Sequence, residues 1–135
     1  MANNADKKRN GSTNSRNVEK KEAGDKFKKQ DFLMTNLDHK SIEVIMKFME
    51  HYVKDITTSQ LRNVYSVILD SQLGNPSKRV KIAYIAARNN KGGMQILLQK
   101  LDDMLHADGN YETIRNFTEA CVAYHKYYDT LKNNY

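Results

Sequence analysis

The side chains in this chain best suited to chemistry are cations in its middle third. In KRVKIAYIAAR, from Lys78 to Arg88, the residues Lys78, Lys81 and Arg88 are three and seven apart. On an α-helix that spacing lays them along one narrow stripe, with Lys81 and Arg88 only about 20° out of line. Val80, Ala83, Tyr84 and Ala87 share a face of the same helix, while Ile82, Ile85 and Ala86 leave little of the other side polar. The pattern reads as a core helix, contacted from several sides, with a cationic edge. That edge fits phosphate neutralisation, or else long side chains snorkelling from a buried helix to water. One helix earlier, Arg62 falls at about 100° from Leu61, a flank position from which it reaches solvent or a ligand.

Other chemistries find little support. His39, His51, His106 and His125 lie in different predicted elements, and no HExxH, Glu-x-x-His or Cys-x-x-Cys spacing joins them to a second ligand. No GxxxxGK or GxGxxG loop exists to cradle a nucleotide. Asp102 and Asp103 read as a solvated pair, and Cys121 as a small core residue. Tyr124 and Tyr128 belong to a helical seam, whereas Tyr127, beside Lys126, points elsewhere and could stack on a base. The expectation is no enzyme, no metal and no cofactor.

Charge is distributed unevenly. Residues 1–30 hold nine Lys or Arg against four Asp or Glu, and beyond Met1 their only large apolar side chains are Val18 and Phe27. So little apolar surface does not offset the entropy of ordering, which predicts a disordered basic arm over 1–30 and a helical bundle domain over 31–135. Residues 54–100 carry eight bases, Lys54, Arg62, Lys78, Arg79, Lys81, Arg88, Lys91 and Lys100, against Asp55 and Asp70. Residues 31–53 are net −2 and residues 101–135 net −3. A bipolar field of this kind favours a polyanion on one face and permits self-association through an acidic one. Cys121 is the only cysteine, no apolar run approaches 18 residues, and the amino terminus lacks a signal peptide's apolar core, so a cytoplasmic protein without a membrane partner is expected.

The elements that must carry these residues are helices. A short helix within Phe27–Leu37 is expected to dock the arm. Asp38 starts a helix to about Lys54 with Ile42, Ile45, Phe48, Met49, Tyr52 and Val53 on one side. Thr57 and Gln60 form a capping box, and Ile56 and Leu61 a hydrophobic staple. Gly74 closes that helix, and Asn75 caps the next with Pro76 at its first position. A fourth helix buries Met94, Leu97, Leu98, Leu101 and Leu105. The last, capped by the Asp108-Gly109-Asn110 turn, runs a heptad-like seam of Ile114, Phe117, Cys121, Tyr124, Tyr128 and Leu131. The predicted fold is all-α, a bundle of about five helices with short connections.

Three stretches, ITTSQLRNVYSVI (Ile56 to Ile68), KIAYIAAR (Lys81 to Arg88) and FTEACVAYHKYY (Phe117 to Tyr128), resemble in order and separation the Csm small-subunit family of type III-A CRISPR effector complexes. The resemblance spans about residues 38–130 and does not account for the basic arm. It implies a five-helix bundle without catalytic activity, serving antiviral defence. Several copies stack into a filament beside the RNA-binding backbone subunits that hold the guide RNA. Such a subunit lines the target RNA, contacts its phosphates and joins the large signature subunit to the rest. It also implies that Arg62, Arg88 and Lys126 are the family's basic residues. Helix geometry and charge add Lys78, Lys81 and Lys54 to the expected RNA contacts. The alternative is a self-associating helical interaction module for which nucleic acid is incidental.

Overall fold

Thr57 shows how local chemistry fixes an element here. Its side chain accepts the Gln60 N–H at 3.1 Å, and the Gln60 side chain accepts the Thr57 N–H at 3.1 Å, so two donors at the helix start are satisfied reciprocally. The staple residues Ile56 and Leu61 are both buried. Asp38 caps the preceding helix in a similar way, accepting the Ser41 N–H and hydroxyl at 2.8 and 2.9 Å. Those two bonds hold the Asp38 carboxyl below its ordinary value.

The computed structural model describes residues 11–88 and 92–133. Among the described residues there is no strand. The helices are α1 Gly11–Lys29, α2 Phe32–Thr35, α3 His39–Tyr52, α4 Thr58–Leu69, α5 Asn75–Arg88, α6 Gly92–His106 and α7 Tyr111–Asn133, with a 3-10 turn Val53–Asp55 after α3. The five predicted helices are all present, and α2 is the short docking helix expected before them, with Phe32 buried. No helix among the described residues is long and apolar enough to cross a membrane.

Packing follows the apolar faces. α3 lies antiparallel to α1, and α5 to α6. α7 runs antiparallel to α4, since His125 meets Ile56 while Tyr111 meets Leu69. Phe27, Phe32, Phe48 and Phe117 form the aromatic centre, with Phe27 stacked on Phe48 at a centroid distance of 4.0 Å. At α6's start, a Cβ on Gly93 would come within 2.7 Å of Tyr52 Cβ, so only glycine lets the two helices meet so closely.

Four expectations need correction. Residues 1–10 of the predicted arm lie outside the described residues, but Gly11–Lys29 is helical, and its second half buries Ala23 and Phe27 against α3. The bundle therefore takes in residues assigned to the arm, because two apolar side chains four apart suffice to seat a helix whose average composition is polar. On α5 the faces are exchanged: Val80, Ala83, Tyr84 and Ala87 are exposed, and Lys78 and Ile82 are buried. The helix is covered on one side only, by α4 and α6. Asn75 is already within α5, and its amide donates to the Gly109 carbonyl at 3.0 Å instead of capping its own helix. Along α7 the seam is fully buried to Cys121, and Tyr124 and Tyr128 still pack partly buried against the core, but His125 takes the fully buried position and Leu131 is exposed. A straight helix drifts about 20° per heptad, which carries a strict seven-residue seam off the core.

Candidate nucleic-acid interface

The expected RNA contacts divide according to what each cation already holds. Lys78, only 4% exposed, donates from Nζ to the Ile68 carbonyl at 2.8 Å and lies 4.7 Å from the Tyr111 ring centroid. Burial pulls its ammonium below the ordinary lysine value, against an opposing pull from Asp70. It satisfies an orphan carbonyl at the C-terminus of α4, so the structure removes it from the candidate RNA contacts. Arg79 donates from Nε to Asp102 at 2.8 Å and from its terminal nitrogen to His106 Nδ1 at 2.8 Å. Lys100 donates to the Lys28 carbonyl at 2.7 Å, closing the C-terminus of α1. Lys91 lies outside the described residues.

Four cations of the basic middle segment remain: Lys54, Arg62, Lys81 and Arg88. All four are exposed, and none makes an ion pair or side-chain hydrogen bond among the described residues. Lys126, also exposed, joins them from α7. Neighbouring elements bring most of this set to one end of the bundle. His125 Nε2 donates to the Ile56 carbonyl at 2.7 Å, which fixes α7 beside the turn carrying Lys54 and the start of α4. A carbonyl only accepts, so the proton of this buried imidazole sits on Nε2. Lys126 is the next residue. Arg62 follows the α4 start by about 6 Å of helix rise.

The N-terminus of α6 closes this end. The Gly93 N–H donates to Asp55 Oδ2 at 3.4 Å, and Lys20 pairs with the same oxygen at 3.3 Å. Asp55 is thereby occupied by a helix N-terminus and a lysine, and offers little repulsion to an anion. Arg88 precedes Gly92 by four residues, at most about 14 Å of chain. Lys81 sits two turns back along the outer face of α5. The end thus gathers Lys54, Arg62, Lys126 and Arg88, with Lys81 trailing along a flank.

Lys20 was missed by the sequence reading, which treated its whole segment as arm. The Ala23 and Phe27 spacing was the available signal: a helix seated by those two residues carries Lys20, one turn earlier, along α3 to Tyr52 and Asp55. Tyr127 is 53% exposed and stands edge-on to Tyr128 at a centroid distance of 5.0 Å. Its outward position agrees with the expectation. Elsewhere, a groove of about 760 Å³ between α1 and α3 interleaves Lys26, Lys29, Lys40 and Lys47 with Glu43 and Glu50, so its field is mixed in sign. Cys121 is fully buried, and burial raises its thiol far above the ordinary value. Among the described residues no group of three or more His, Cys, Asp or Glu could hold a metal ion.

Comparison of the chain with protein-family models, with curated proteins and with solved structures finds no match.

Proposed function

We propose that this chain is a non-catalytic small subunit of a type III-A CRISPR ribonucleoprotein, a cytoplasmic antiviral complex, and that it binds the backbone of target RNA paired with the guide. The observation that carries the reading is the sieve of the basic segment. Once internal partners are assigned, the exposed cations of that segment left over among the described residues are Lys54, Arg62, Lys81 and Arg88, with Lys126 alongside. Three of the five are the positions that the family resemblance singled out. In a guide-directed machine base pairing supplies specificity, so a subunit beside the duplex needs only to neutralise phosphates and fit the shape of the helix. Weak contacts of this kind gain strength by repetition when copies stack along one RNA, beside the backbone subunits and the large subunit.

The test is target affinity of the assembled particle carrying Arg62→Ala, Arg88→Ala or Lys126→Ala in this subunit. Each substitution should weaken binding of any matched target to a similar degree and lower the salt slope by about one per copy engaged. Unchanged affinity and slope in all three would overturn the assignment. A particle that assembles without this chain and still holds target along its full length would overturn the function.

The opposite corner of the bundle favours self-association as a second reading. There Asp70, Asp108 and Glu112 are exposed around partly exposed Leu69 and Tyr111. A basic end and an acidic corner on one molecule suit head-to-tail contact. Salt-sensitive self-association with no RNA dependence, seen by sedimentation, would select it over the first.

A further inference from the structure

Helix α5 contains no Asp or Glu, and of its four cations Lys78 and Arg79 are spent inside the protein. The other two, Lys81 and Arg88, flank Tyr84 at spacings of three and four on the uncovered face. Tyr84 is 69% exposed and, among the described residues, makes no ring contact and no hydrogen bond. The remaining exposed aromatics differ from it: Tyr111 donates to the Leu69 carbonyl at 3.1 Å beneath Lys78, and Tyr127 leans on Tyr128. Over about 10 Å of helix, then, an unpartnered aromatic ring stands between two unpaired cations.

We propose that Tyr84 is a stacking platform for an unpaired base of RNA, with Lys81 and Arg88 holding phosphates on either side of it. The inference rests on the RNA-binding reading above and extends it from backbone contact to base contact. Nonspecific single-strand binders combine these two parts, a cationic track and an aromatic face, because every base offers a π-surface whatever its sequence. The apolar neighbours fit this better than they fit a protein helix. Beside the ring, α5 exposes Ala83 and Ala87, which bury little area, and Val80, 58% exposed, so the ring is the one large feature. Both side chains bordering it carry the charge that a phosphate seeks.

The chain has no tryptophan, so Tyr84→Trp gives the full-length protein a single indole at the proposed platform. Titration at low salt uses an unstructured oligouridylate of about twelve nucleotides, with the same strand in duplex as comparison. Saturable quenching by the single strand, weaker with duplex, is expected. Tyr84→Ala should reduce single-strand affinity about 5- to 100-fold with the salt slope unchanged, because stacking releases no counterions, and Tyr84→Phe should stay within about twofold of the parent. Lys81→Ala and Arg88→Ala should each lower the slope by about one. Thermal melts of each variant establish that it is folded.

An unquenched indole at saturating RNA, parental affinity in Tyr84→Ala, or no single-strand binding at all would overturn the proposal. So would loss of self-association in Tyr84→Ala with RNA affinity intact, which would make this face a protein contact. If only the Tyr84 variants fail while Lys81→Ala and Arg88→Ala behave as stated, stacking falls and backbone binding survives. If the alanine variants of the cations also leave the slope unchanged, the wider reading is affected, and the assembled particle judges it separately.

Discussion

A lysine that meets a phosphate and a lysine that meets a backbone carbonyl look alike in a sequence. Among the described residues the second kind occurs three times. Lys78 reaches the end of α4, Lys100 the end of α1, and Lys132 the Glu50 carbonyl in the last turn of α3, at 2.8, 2.7 and 3.2 Å. Each cation meets the partial negative charge of a helix C-terminus that is not its own. Lys78→Met keeps the apolar stem and removes the donor, leaving the Ile68 carbonyl without its partner. The expected loss is about 1 to 2 kcal/mol of stability, read as a shifted denaturant midpoint. RNA affinity and salt slope should stay at parental values, whereas Lys81→Ala alters the slope and leaves the midpoint within about 0.5 kcal/mol. A Lys78 variant that bound RNA more weakly while equally stable would return this residue to the interface.

At the scale of elements, what was legible depended on whether the signal was local. Starts were readable because Thr57 with Gln60 and Asp38 with Ser41 complete their bonds within a few residues. The leucine stripe of α6 was readable because it is covered along its whole length. The faces of α5 were misread for a long-range reason. Its sequence carries apolar residues nearly all round, and only the positions of α4 and α6 decide which of them are covered. Lys78 is buried because the end of α4 happens to present a carbonyl there, a fact no periodicity contains. Hence Lys78 was placed on an exposed edge when it is buried, and Tyr84, which is exposed, was mistaken for core. In α1 the error came from averaging: thirty residues of polar composition concealed one buried ring. Phe27 touches Phe32, Phe48 and Phe117, so α1 is tied to the bundle's aromatic centre. Phe27→Ala should cost about 3 to 5 kcal/mol, measured by denaturant unfolding, and expose α1 to protease. A loss under 1 kcal/mol would show that the segment is arm after all.

For the whole molecule, the question is whether net charge or its placement would govern the proposed RNA binding, since a chain at +6 attracts polyanions in either case. The geometry separates the two. Lys54 and Arg88 belong to the end where α3 stops and α6 starts, whereas Lys29 and Lys40 sit at the other end, where α1 stops and α3 begins. The 14-residue α3 sets these ends about 20 Å apart, more than two Debye lengths of about 8 Å at physiological ionic strength. Charges at the second end are therefore screened from a phosphate docked at the first. Reversal of Lys54 and Arg88 to Glu, and of Lys29 and Lys40 to Glu, changes the net charge equally, and all four residues are exposed. In the assembled particle the first pair should lower target affinity more than tenfold and reduce the salt slope by about two per copy engaged, and the second pair should change affinity less than threefold. Equal losses from both pairs would mean that the overall charge acts and the end of the bundle does not. A larger loss from Lys29 and Lys40 would move the RNA to the groove between α1 and α3, where both residues line the wall.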